Sequence, residues 1–209
     1  MAQAIEGAGF KKAEGAVARS VHRGLLDRLI SWAGAVVAVA LLGLGGAAIY
    51  GGNFALDNVR DRLEPQNITF PPLEAMSPEE KAELGEFAGQ KVDTGSEAEA
   101  FSLYIGGHLV EVNDGKTYSE TSSESRGYAE EVGENPTKAE AAKMAELDGQ
   151  VQTLFRGETL RAILLNAYGW WTVGQIALYA GIGMVVAGAV LAVLVALGFM
   201  HARKVGANA

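Results

Sequence analysis

The sequence predicts an all-α protein: two antiparallel transmembrane helices with a mainly helical extracytoplasmic domain between them. Three observations carry this. Residues 29–50 and 162–202 contain no Asp, Glu, Lys or Arg. Crossing a hydrocarbon core of about 30 Å takes about 20 apolar residues, so each run is long enough. The segment between them, residues 57–161, holds ten Lys/Arg against 22 Asp/Glu and carries several helix-start signals.

Residues 1–28 are small and basic, with Lys11, Lys12, Arg19, Arg23 and Arg28 against Glu6, Glu14 and Asp27. Val17, Val21 and Leu25 recur every four residues, which suits a short amphipathic helix on a membrane surface. A partly disordered cytoplasmic tail is the plainer reading. Residues 29–52 form the first transmembrane helix. A cleaved signal peptide competes, since Gly46 and Ala48 offer small residues for cleavage. Its apolar region is typically about 7–15 residues long, shorter than this run.

Residues 53–161 make the acidic extracytoplasmic domain. Ser77-Pro78-Glu79-Glu80 joins an N-cap, a proline at the first helical position and a capping-box glutamate. Leu84, Phe87 and Ala88 extend an apolar face to a stop near Gly89. Ser96-x-x-Glu99 reads as a second capping box, followed by Phe101, Ile105, His108 or Leu109, and Val112 at helical spacing. A hairpin turning at Gly106-Gly107 fits the same stretch. Asp114-Gly115 reads as a turn, and residues 119–134, poor in large apolar side chains, as a loop. Thr137-x-x-Glu140 opens a third helix, whose Met144, Leu147, Val151 and Leu154 repeat by three and four. That helix is expected to run on into the second span, with a kink at Gly149 or Gly157.

Residues 162–202 form the second long apolar helix, with its membrane span at about 171–200 and a tail at 203–209. Trp170 and Trp171 stand where an interfacial aromatic belt belongs. The termini carry seven Lys/Arg, so both are expected to be cytoplasmic in the cell membrane. Gly43 with Ala47, Gly34 with Ala38, and Gly183 with Ala187 are small-xxx-small pairs that let helices approach closely in lipid, within the chain or with a partner. Gln175 lies one turn into the second span, with Tyr179 a turn deeper. A glutamine amide facing lipid is costly, so Gln175 is expected to face the first helix near Tyr50 or Asn53.

Function is less constrained. With no cysteine there is no disulfide, thiolate metal site or cysteine nucleophile. The chain has a net charge of −8, which disfavours nucleic acid as a partner. His108 and Glu111 are three apart and would share a helix face as a metal half-site or pH-sensitive pair, or simply as polar cover. Gly115-Lys116-Thr117 ends like a phosphate loop but lacks the upstream glycine. Asn67-Ile68-Thr69 matches a glycosylation acceptor, and no Gly-x-Ser-x-Gly elbow is present.

Asn67-Ile68-Thr69, the Phe-Ala-Gly-x-x-Val-Asp of residues 87–93, His108-x-x-Glu111, Gly115-Lys116-Thr117-Tyr118 and Leu160-Arg161 follow one another between the apolar runs. In this order the chain, over residues 30–200, resembles a family of small actinobacterial two-span membrane proteins of uncharacterised function. Its members often carry the label "aromatic ring-opening dioxygenase LigA". The resemblance implies a helix rather than a hairpin over residues 96–112, with Gly106-Gly107 a departure from the family pattern. The label itself is not supported by the residues. Non-haem iron commonly takes two histidines and a carboxylate, and His108 is the one histidine between the spans.

The expected protein is therefore non-enzymatic, without a cofactor or metal. It would be a structural or accessory component of a membrane assembly, partnered by the lipid bilayer and by other membrane proteins or its own copies. The alternative is an extracytoplasmic ligand-binding or sensing module coupled to the membrane helices, with Tyr104, His108, Glu111 and Tyr118 around its site.

Overall fold

A computed structural model describes the backbone of residues 2–207 and the side chains of residues 25–204. The reading of residues 1–28 as tail or surface helix rests on side chains that, up to residue 24, lie outside the described residues. Among the described residues five α-helices follow one another: α1 (Ala2–Leu63), α2 (Pro78–Leu84), α3 (Gly95–Val112), α4 (Tyr118–Val132) and α5 (Lys138–Ala207). No strand forms among the described residues, and Thr69 and Lys91 make one isolated antiparallel bridge. The chain divides into two compact units. One holds residues 1–52 and 176–209, and the other holds residues 53–175.

In the helix-pair unit, α1 and α5 contribute the two stretches that are long and apolar enough to cross a membrane. The contacts pair Ser31 with Gly198, Gly34 with Val195, and Ala38 and Leu42 with Gly188. Further along, Gly45 meets Gly181. Trp32 sets its edge against Phe199, with ring centroids 5.8 Å apart. Most other large apolar side chains of the pair point away from it: Leu29, Val39, Leu44, Val186 and Leu194 are all more than half exposed.

The intervening unit is built around Phe70, which is 2% exposed. Its ring stacks on Phe87 at 5.4 Å and meets Phe101 edge-on at 5.1 Å. Its backbone N–H donates to Gln90, and Val92 N–H donates to Ile68, so two extended segments are tied together without a sheet. Val59, Leu63, Leu84, Ala98, Leu164 and Trp171 close the core. α1 enters this unit on Leu56, Val59 and Leu63, an apolar face at three- and four-residue spacing. It ends just before Pro65, which disfavours helix in the residue preceding it.

The caps follow local rules. Ser77 accepts from Glu80 N–H while Glu80 accepts from Ser77 N–H, as the sequence predicts. α3 starts two residues earlier than expected. Its capping box is Thr94 with Glu97, not Ser96 with Glu99, because one Glu97 oxygen takes both the Asp93 and Thr94 N–H groups. Gly106-Gly107 lies inside α3, so the helix forms and the hairpin does not. Asp114 (φ 50°) and Gly115 (φ 77°) form the turn after it.

The expected loop over residues 119–134 is corrected: it is helix α4. Thr117-x-x-Glu120 supplies its capping box. Its one fully buried side chain, Thr121, accepts from Asn113 Nδ2, and Ser125 reaches Asp148 of α5 at 2.8 Å. Hydrogen bonds thus do what an apolar face does elsewhere. The Glu120 and Glu140 carboxyls sit below their ordinary value of 4.5, chiefly because the Thr117 and Thr137 N–H groups bond the charged form. A lowered folded pKa gives stability that is present above 4.5 and lost as pH falls through the folded value. Acid is therefore expected to loosen the starts of α4 and α5. Carbon-13 titration of Glu120 should give a pKa below the ordinary value. Thr117→Ala should raise it only part way, because the backbone donor remains.

Candidate functional site

The first candidate lies in the intervening unit, where α3 faces the start of α2. Residues 104 and 108 are four apart, and the rings of Tyr104 and His108 meet at a tilt of 53° with centroids 4.4 Å apart. His108 Nδ1 lies 3.1 Å from the Tyr104 carbonyl oxygen. A carbonyl only accepts, so this nitrogen carries the proton. The same nitrogen stands 3.5 Å from Glu80 Oε1, while Glu80 Oε2 accepts the Ser77 N–H at 2.8 Å. One carboxylate thus caps α2 and faces α3. Burial, and then the Glu80 charge, raise the Tyr104 phenol above its ordinary value.

This arrangement gathers only part of the expected set. His108 meets Glu80, a residue the sequence reading used only as a cap, while Glu111 remains exposed one turn further on. Tyr118 makes its ring contact elsewhere, with Phe155 of α5 at 6.1 Å. Lys116 pairs with Glu124, which holds its ammonium above the ordinary value, so the Gly115-Lys116-Thr117 stretch is engaged as a turn and cap. Arg161 ties α5 to α3, donating to the Ser102 carbonyl at 3.2 Å while pairing with Glu158 at 2.9 Å. Among the described residues, no group of three or more His, Cys, Asp or Glu side chains is placed to hold a metal ion.

The second candidate is the contact in the helix-pair unit. Gly43, Ala47, Gly183 and Ala187, expected to pair helices within the chain or with a partner, do not face this contact. All four are exposed, and a Cβ on Gly43 or Gly183 would meet nothing within 4 Å. The close approach uses Gly45 and Gly181 instead. A Cβ on Gly45 would lie 2.9 Å from the Gly181 carbonyl oxygen, and one on Gly181 would lie 2.7 Å from that of Gly45. Ala38 is buried and Gly34 abuts Val195, so that pair does lie at the contact.

The signal that would have found the contact is a seven-residue period. Ser31, Ala38 and Gly45 are buried at intervals of seven on α1, as are Gly181 and Gly188 on α5. Two helices in left-handed contact meet every 3.5 residues, so a seven-residue repeat of small side chains keeps one seam facing the partner. Gly183 is two residues from Gly181, about 200° around the helix at 3.6 residues per turn.

One further expectation changes in the intervening unit. Trp171 is 8% exposed and belongs to the core, whereas Trp170 is 59% exposed and alone keeps the outward position expected of both. The reason is Gly95 at the start of α3, whose missing side chain leaves the space that Trp171 fills. Arg60 lies over the indole ring, 5.9 Å from its centroid, and the indole N–H is buried without a hydrogen-bond partner. Gln175 is half-buried, while Tyr50 and Tyr179 are 76% and 67% exposed.

A groove of about 550 Å³ runs along α5 beside the start of α4, lined by Tyr118, Phe155, Glu158, Thr159, Ala162, Ile163 and Asn166. Sequence reasoning did not anticipate it, since it forms only where α4 is helical. Compared with protein families, curated proteins and solved structures, the chain shows no significant match.

Proposed function

We propose that this chain is a non-enzymatic integral membrane protein, a structural or accessory component of a membrane assembly. Residues 53–175 would lie on the outer side and both termini in the cytoplasm. The observation that supports it is the direction in which the helix pair turns its apolar surface. Only 11% and 6% of the most apolar windows of α1 and α5 are buried inside the chain. A core helix of a water-soluble protein would be mostly buried, because contiguous apolar patches this large are rare in contact with water. Lipid accounts for the exposure. The contacts run in opposite order along the two helices, from Ser31 with Gly198 to Gly45 with Gly181, which supports an antiparallel crossing.

The accessory role rests on the intervening unit. Several of its polar side chains are committed to caps and to ties between helices: Glu80 and Glu120 close helix starts, and Arg161 and Ser125 join neighbouring helices. The resemblance to the actinobacterial two-span family implies the membrane topology and not the role, and the dioxygenase label is set aside on its missing histidine ligands. Extraction in a gentle detergent followed by native mass analysis tests the role. The expected result is a species heavier than one chain. A lone monomer with nothing bound counts against it.

A further inference from the structure

The charges of the helix-pair unit are gathered at one end. Where side chains of this unit are described, its Asp, Glu, Lys and Arg residues are Asp27, Arg28, Arg203 and Lys204 and no others. The contacts set Ser31 against Gly198 and Trp32 against Phe199. They run in opposite order along α1 and α5, which puts the residues before Ser31 and those after Gly198 at one end of an antiparallel pair. Arg28 is three residues before Ser31, and Arg203 and Lys204 are five and six after Gly198. At about 1.5 Å per residue the three cations stand roughly 4.5 to 9 Å beyond that contact. All three are exposed, and they outnumber Asp27 three to one. The sequence before residue 25 adds four Lys/Arg against two Glu. The other end of the pair, at Tyr50–Gly52 and Ile176, carries no charge.

The apolar surface stops at these cations. Leu29, Ile30 and Trp32 on α1 are 65%, 68% and 66% exposed, and Met200 on α5 is 51% exposed. A charged side chain is costly in hydrocarbon, so in a bilayer the hydrocarbon boundary falls at Arg28 and Arg203. The polar layer of one leaflet is about 5–8 Å deep, enough to hold all three cations among the headgroups. There they face phosphate oxygens. A guanidinium matches two phosphate oxygens with two parallel hydrogen bonds. On a zwitterionic headgroup the attached ammonium offsets the phosphate, whereas an anionic headgroup keeps its full charge. Basic residues next to a span are accordingly drawn to anionic leaflets.

We propose that the Arg28, Arg203 and Lys204 end of the helix pair binds anionic phospholipid headgroups in preference to zwitterionic ones. This rests on the reading that the long helices lie in a bilayer. Trp32 is a reporter in place, exposed and one turn from Arg28. The full chain is reconstituted in vesicles of phosphatidylcholine and phosphatidylglycerol in equal amounts, with bromine on the acyl chains of one lipid or the other. The fluorescence quenching lost in Trp32→Phe is the share that Trp32 contributes. Brominated phosphatidylglycerol is expected to quench Trp32 about threefold or more as effectively as brominated phosphatidylcholine at about 0.1 M salt. At about 1 M salt, where the Debye length is about 3 Å, the ratio should fall towards one. Arg28→Gln combined with Arg203→Gln and Lys204→Gln should bring it to one at low salt, while quenching by brominated phosphatidylcholine shows the helices still in the bilayer. Lys91→Gln combined with Arg126→Gln and Lys138→Gln removes the same charge from exposed sites of the intervening unit and should leave the ratio unchanged. A preference that survives the first triple substitution, or is lost with the second, overturns the proposal. Equal quenching by both lipids in the unsubstituted chain sinks the lipid preference alone. No quenching of Trp32 by either lipid sinks the membrane reading with it.

Discussion

Gly181→Leu is expected to force the two long helices apart, while Gly43→Leu leaves their contact intact. A Cβ on Gly181 would lie 2.7 Å from the Gly45 carbonyl oxygen and 2.8 Å from the Ile49 backbone nitrogen. These are backbone atoms, so no side-chain rotation relieves the clash and one helix has to move. Overpacking typically costs about 1–3 kcal/mol, and a leucine against backbone falls at or above the top of that range. Gly43 faces open space, so the same substitution there adds only surface. A built-in reporter is available. A Cβ on Gly198 would lie 3.8 Å from the Ser31 Cβ, the separation a disulfide needs. Ser31→Cys with Gly198→Cys should close readily within one chain. Adding Gly181→Leu should slow closure and lower the unfolding temperature in detergent. If Gly181→Leu and Gly43→Leu behave alike on both measures, the seam is misplaced.

That contrast also shows which features the sequence could reveal. Helix starts were legible where a cap completes itself within four residues, as at Ser77 and Thr137. The same rule misplaced the start of α3 by two residues, because Thr94-x-x-Glu97 and Ser96-x-x-Glu99 both satisfy it and only the Asp93 N–H decides between them. Helix α4 was missed because what holds it is distant: Thr121 meets Asn113 and Ser125 meets Asp148, and neither pairing leaves a period in the sequence. Small side chains four apart at Gly43 with Ala47 and at Gly183 with Ala187 face away from the helix contact, which follows a seven-residue spacing. The candidate site divided in the same way. Tyr104 with His108 is a neighbour relation along one helix and could be read directly. Glu80 opposite them, and Phe155 beside Tyr118, depend on how separate helices meet.

The other large effect is expected in the intervening unit, where one substitution at two places in α3 should act with opposite sign. Gly95→Ala places a Cβ 2.2 Å from the Trp171 Cβ and 2.4 Å from its Cγ. The near atoms are those closest to the α5 backbone, so the indole cannot swing clear. It is also 8% exposed and packed in the core with Leu164 and Ala98. α3 and α5 must separate, or the first turn of α3 must unwind together with the Thr94 cap, whose loss alone costs about 1 kcal/mol. A destabilisation of about 2–4 kcal/mol follows from overpacking plus that cap. Gly107→Ala lies in the interior of the same helix, where a Cβ would meet nothing within 4 Å. There alanine relieves the backbone-entropy cost of glycine and should stabilise by about 0.5–1 kcal/mol. Denaturant unfolding of the full chain in detergent, followed by tryptophan fluorescence, reads both. Trp171 is one of three tryptophans and reports from the contact itself. A midpoint for Gly95→Ala at or above that of the unsubstituted chain would show that Trp171 does not fill the space beside residue 95. The core of the intervening unit would then have to be packed without that contact.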